Sequence, residues 1–103
     1  MNPKPPLTGK QRRHLRSLAH HLEPVVLIGK NGLVAGVVHA TSLALETHEL
    51  VKVKHSKDCP VTRDEVAAFL VEAIGAQLVG VIGHTVLLYL RHPSEPKITL
   101  PRV

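Results

Sequence analysis

The chain has 103 residues, a hydrophobic fraction of 44% and a formal charge of +5. That describes one folded domain with a single modest core. No apolar run approaches the roughly 18 residues of a membrane helix, no signal pattern opens the chain, and the lone Cys59 excludes an internal disulfide, so a reducing, cytoplasmic setting is expected.

Met1 to Leu7 holds three prolines and reads as a flexible lead-in, with a single domain over 8–101 and residues 102–103 as its tail end. Thr8 is placed as the N-cap of a first helix, and Gln11 closes a capping box. Leu15, Leu18, Ala19 and Leu22 recur at helical spacing and form its apolar stripe. Arg12, Arg13, Arg16 and His20 share a separate arc. Pro24 ends the helix, and the unbroken run 25–28 predicts a buried central strand.

A second helix is expected over about 33–47, with Leu33, Val37, Ala40 and Ala44 inside and His39, Ser42 and Glu46 outside. Leu50 to Lys54 alternates, so Val51 and Val53 line one face of a strand and Lys52 and Lys54 the other. Thr62 and Glu65 make a second capping box before a stripe of Val66, Phe69, Leu70 and Ala73, and Gly75 stops that helix. Gln77–Ile82 and Thr85–Leu90 read as strands joined by Gly83-His84, a hairpin with glycine first as a type II′ turn requires. Arg91 to Val103 holds three prolines and is expected to lie over the body in extended form. The predicted class is α/β, in the order α-β-α-β-α-β-β, with helices packed on a four-stranded mixed sheet.

Between the first strand and the second helix stands Gly29-Lys30-Asn31-Gly32. Glycines allow close backbone approach to a phosphate, a helix start supplies N–H groups, and the tip carries one cation and one amide but no acid. The same four residues also fit an ordinary turn. Charge is distributed unevenly around them. Up to Gly32 there are six Lys/Arg (Lys4, Lys10, Arg12, Arg13, Arg16, Lys30) against Glu23 alone, whereas from Leu33 onward seven bases balance seven acids. Basic charge beside such a loop favours a polyanion. A run such as Lys10, Arg12, Arg13 and Arg16 is also what a solvated helix face looks like. Lys52, Lys54 and Lys57 either extend the positive surface or cover an exposed face with their stems.

The blocks Thr8–His20 and Pro24–Leu33 resemble the opening of the CRM domain (chloroplast RNA splicing and ribosome maturation), most closely its small stand-alone bacterial members, the YhbY-like proteins. Glu49-Leu-Val-Lys-Val-Lys54, Ile82–Tyr89 and Lys97–Pro101 match later blocks in order and spacing, so the resemblance spans about Leu7 to Pro101. It implies an RNA-binding domain similar in fold to the C-terminal domain of bacterial translation initiation factor three, associated with precursors of the large ribosomal subunit. By position it implies RNA contacts at Gly29, Lys30, Asn31 and Gly32 and on the first helix. Glu23 stands where a basic residue is common, and this acid beside Pro24 is left out of the site.

The residues limit the mode of recognition. Phe69 is expected in the core and Tyr89 in a structural role, which leaves no aromatic pair on which to stack splayed bases. Recognition should therefore run through phosphates, 2′-hydroxyls and RNA shape, with strong salt dependence. The eight histidines are scattered, and no His-x₃-His or Cys-x₂-Cys pair indicates a metal. Asp58 beside Cys59 disfavours a thiolate, and Asp64, Glu65 and Glu72 fit capping and solvation better than catalysis. The expected protein is a non-enzymatic, cofactor-free clamp on structured precursor rRNA that assists large-subunit maturation, through Lys10, Arg12, Arg13, Arg16, Gly29–Gly32, Lys52 and Lys54. The alternative is a module that docks an acidic protein of the translation apparatus on the same basic face.

Overall fold

The computed structural model describes residues 6–102. The elements are α1 (Gly9–Ala19), β1 (Val26–Ile28), α2 (Ala35–His48), β2 (Leu50–His55), α3 (Arg63–Ile74), β3 (Gln77–Ile82) and β4 (Thr85–Tyr89), in the expected order. The strands form one mixed sheet ordered β1-β2-β4-β3. β1 runs parallel to β2, and β4 pairs antiparallel with both β2 and β3. Among the described residues no helix is long and apolar enough to cross a membrane.

Strand alternation divides the core into two layers. Val26 and Ile28 of β1, Val51 and Val53 of β2, and Val86 and Leu88 of β4 point to one side, where they bury Leu45 of α2 and Val66, Ala67 and Leu70 of α3. Leu50, Leu87 and Tyr89 point to the other side and meet Leu15 and Ala19 of α1. α1 therefore lies alone on one face of the sheet, and α2 and α3 cover the opposite face. A bulge helps to fit α1. The register between β3 and β4 shifts between Leu78 and Gly80, and Val79 is buried in the α1 layer.

Both capping boxes form. Thr8 Oγ1 accepts from the Gln11 amide at 3.1 Å while Gln11 Oε1 accepts from the Thr8 amide at 3.0 Å, and Thr62 and Glu65 exchange the same pair at 3.2 Å each. Gly75 closes α3 at φ 80°, and Gly83 takes φ 56° at the first position of the hairpin turn. These are local signals, and the sequence carries them in full.

Several expectations shift. β1 is an edge strand, not a central one: it pairs only with β2, and Leu27 is 65% exposed. Its apolar run is real, yet only alternate residues face the core. α1 ends at Ala19, so Leu22 lies beyond it, and both Leu18 and Leu22 remain partly exposed. α2 begins at Ala35; Leu33, Val37 and Ala44 pack against the core as expected, with Val38, Thr41 and Leu45 beside them, whereas Ala40 is exposed. α3 likewise buries Val66, Ala67 and Leu70, with Val71 and Ile74 packed alongside, so Ala73 is exposed and Phe69 is 41% exposed rather than in the core. Of the proposed lead-in, residues 1–5 lie outside the described residues, whereas Leu7 is buried against α1.

The tail beyond β4 crosses the α1 side without regular structure and packs Ile98 and Leu100 into that layer. Its anchor is Glu49, fully buried at the α2–β2 junction with φ 62°, a left-handed value that side chains other than glycine adopt at a cost. The Glu49 carboxylate accepts from the amides of His92 (2.7 Å), Lys97 (2.6 Å) and Ile98 (2.8 Å). Burial pushes its pKa up, but these three N–H donors and the nearby His92 outweigh that and hold it below the ordinary value. A second tie comes from Gln11 Nε2, which donates to the carbonyl of Pro101 at 3.1 Å. Gln11 thus caps α1 and holds the tail together.

Candidate nucleic-acid interface

The loop after β1 is a closed turn: the Gly32 amide donates to the Gly29 carbonyl at 3.0 Å and leaves Lys30 and Asn31 exposed at the tip. Its two glycines are not equivalent. Gly32 sits at φ 72°, and a Cβ there would approach Pro60 Cγ to 2.9 Å, so backbone and packing both demand glycine. Gly29 has no positive φ, and a Cβ would meet nothing within 4 Å. Folding makes no such demand at Gly29, and the space above its backbone is open to a ligand. The Ser56 amide, which donates to the Ile28 carbonyl at 2.9 Å, ties the start of the loop to the segment 56–62, which carries exposed Lys57.

The basic residues of α1 divide by role. Lys10 and Arg13 are exposed. Arg12 donates through Nη1 to the Leu7 carbonyl at 2.8 Å, which fixes the entry of the chain. The Arg16 stem lies over Gly80, where a Cβ would come within 3.4 Å of its Cδ. Its head is carried over the sheet by that contact.

Lys52 and Lys54 share the face of α1, since they alternate with Val51 and Val53 and follow Leu50. The pairing register orders this face into three rows. Leu50, Tyr89 and Gln77 form the first; Lys52, Leu87 and Gly80 the second; Leu27, Lys54, Thr85 and Ile82 the third. The buried residues of the first two rows pack in the α1 layer. In the third row Lys54 is exposed, Leu27 is 65% exposed and Ile82 is 55% exposed. Gly29 begins two residues beyond Leu27, so this open row separates the part of the sheet under α1 from the glycine loop.

Charge follows the layers. α1 carries Lys10, Arg12, Arg13 and Arg16 and no carboxylate, while α2 and α3 carry Glu46, Asp64, Glu65 and Glu72 with Arg63 as their one cation. Arg63 is partly committed, 3.7 Å from Asp64 and donating to the Gly83 carbonyl at 3.0 Å. The positive surface anticipated from the sequence therefore lies on one side of the sheet. Glu23 falls in the connection between α1 and β1, outside both elements.

Tyr89 is buried on the α1 side with no hydrogen-bond partner for its hydroxyl among the described residues, and burial, reinforced by Glu49, pushes its pKa up. That is a packing role, as expected. Among the described residues no three of His, Cys, Asp and Glu gather as metal ligands. His55 and His84 meet edge to face, with ring centroids 4.8 Å apart.

The family model of the CRS1 / YhbY (CRM) domain matches residues 7–90. The Bacillus subtilis protein named "Probable RNA-binding protein YqeI" is 42% identical over 92% of this chain and 99% of its own length. An RNA-binding protein of Haemophilus influenzae is 44% identical over 93% of this chain and 96% of its own. In three dimensions the chain is similar to the solution structure of the hypothetical Staphylococcus aureus protein SAV1595, a candidate RNA-binding protein, with a TM-score of 0.74 and 39% identity over 92% of this chain and 99% of that one.

Proposed function

The chain belongs to the CRS1 / YhbY (CRM) domain family, and on that premise we propose that it is an RNA-binding protein that grips structured RNA by its backbone. The observation that carries this reading is the segregation of charge: four cations and no acid on α1, with Lys52 and Lys54 on the same face. Phosphates neutralised there release counterions, which gives affinity with little sequence preference. Lys30 and Asn31 reach a phosphate from the loop tip, and Gly29 lets its backbone come close. The names of the relatives support RNA as the partner. The family resemblance supports precursor rRNA of the large ribosomal subunit, with the protein acting in the cytoplasm as an assembly factor rather than an enzyme.

Crosslinking of the full chain to RNA in cells, mapped on both partners, tests this. Adducts are expected on rRNA and on peptides covering Lys10–Arg16, Gly29–Gly32 and Lys52–Lys54, and RNA recovered from the complex should be chemically unaltered. Adducts confined to proteins would instead establish the same basic face as a dock for an acidic protein.

A further inference from the structure

We propose that the open third row of the sheet is a seat for unpaired nucleotides, so that the preferred ligand is RNA in which a paired region adjoins a single-stranded one. This rests on the RNA-binding reading above and adds to it which structural class of RNA is held. The row places Leu27 and Ile82 at opposite edges of the sheet, about 14 Å apart by three strand spacings, with Lys54 and Thr85 between them. Val25 extends the apolar edge: its amide donates to the Lys52 carbonyl at 3.1 Å, and its side chain is exposed. Exposed aliphatic pillars beside lysines, with no carboxylate anywhere on α1 or the four strands, match an anion that also has apolar faces.

Position and chemistry select RNA and, within RNA, its unpaired form. Arg16 lies over Gly80, one row from Ile82, and the glycine loop begins just past Leu27 on the other side. A strand that contacts both crosses this row. A duplex would bring phosphates and 2′-hydroxyls to it, with its base faces hidden in the stack, and Leu27 and Ile82 would have little to bury. Unstacked nucleotides present ribose C–H groups and base faces, which aliphatic side chains cover without reading sequence. Lys52 and Lys54, alternate residues on β2, then meet their phosphates.

The test compares a blunt RNA hairpin with the same hairpin bearing a short single-stranded tail, both titrated with the full chain over a series of salt concentrations. The unsubstituted protein should favour the tailed RNA by roughly tenfold. Leu27→Thr with Ile82→Thr replaces two exposed strand residues by one that suits strands, and leaves the charge unchanged. It should abolish the preference, keep the affinity for the blunt hairpin within about twofold, and leave the salt slope as it was. Lys52→Gln with Lys54→Gln should reduce both the preference and the slope, the latter by about 0.7 per lost contact. Equal binding of the two RNAs by the unsubstituted protein overturns the inference and leaves the RNA-binding reading standing; binding of neither overturns both. A preference that survives in the threonine variant places the tail elsewhere on the protein and also overturns it. Should that double variant lose its thermal transition, each single substitution decides by the same criterion.

Discussion

The two faces of the sheet are built to different plans. On the α2 and α3 side, two helices close over a continuous apolar layer, and their outer surfaces are acidic. On the other side a single basic helix covers part of the sheet, the layer beneath it is completed by Leu7, Ile98 and Leu100, and the third row stays open. The contrast separates two demands on one small domain. Apolar area removed from water scales with coverage, so the doubly covered face supplies most of the hydrophobic stabilisation. The singly covered face keeps cations and exposed strand residues in one plane, available to a polyanion, and depends on polar ties to hold its tail.

Removing those ties should break the comparison most severely. Glu49→Ala leaves three tail amides without their acceptor and keeps a non-glycine residue at φ 62°. It should cost about 3–5 kcal/mol in urea unfolding. Acid should act in the same direction. Because the folded carboxyl lies below its ordinary value near 4.5, its contribution is complete above that pH and is lost as pH falls through the lowered folded value. The amide resonances of His92, Lys97 and Ile98 should report the release.

Next in size is the loop. Lys30→Asp with Asn31→Asp changes only exposed tip residues, so the melting temperature should hold while RNA affinity falls by one to two orders of magnitude at low salt. An affinity unchanged in a folded protein would remove the loop from the interface. Its two glycines sharpen the point. Gly32→Ala should destabilise by about 1–2 kcal/mol because it forces a side chain into positive φ against Pro60. Gly29→Ala should stay within about 0.5 kcal/mol of the parent yet weaken RNA binding.

Smaller effects compare the outer helical surfaces. Lys10→Ala with Arg13→Ala avoids the structural duties of Arg12 and Arg16, and should make the log–log salt dependence shallower by about 0.7–0.9 per lost contact. Glu46→Gln with Glu72→Gln on the opposite side should shift affinity by less than about twofold. Smallest of all, Tyr89→Phe deletes a buried hydroxyl that has no partner among the described residues, and should leave stability unchanged or raise it by up to about 1 kcal/mol in thermal melts.

What the sequence made legible was local. Thr8 with Gln11, Thr62 with Glu65, Gly75 and Gly83 each act through neighbours within a few positions, and each formed as written. The alternation of β2 likewise placed Lys52 and Lys54 opposite Val51 and Val53. Strand order was not legible, because the apolar run 25–28 reads alike for an edge and a centre, and Leu27 was misread for that reason. Phe69 failed differently: two overlapping helical stripes were available on α3, and packing chose the one through Ala67 and Val71. Glu49 opened a block of the family resemblance, but its burial carried no signal. Its donors lie 43 to 49 residues away, and nothing about an isolated glutamate announces that it will be buried.

That separation has a consequence for the order of events during folding. The sheet is complete in sequence at Tyr89, so all four strands can pair before the donors for Glu49 are in place. Until then a carboxylate destined for the interior has no amide to bind and keeps its water. Glu49 is therefore the last group of the interior to dehydrate, and it does so only when the segment 92–98 closes over it.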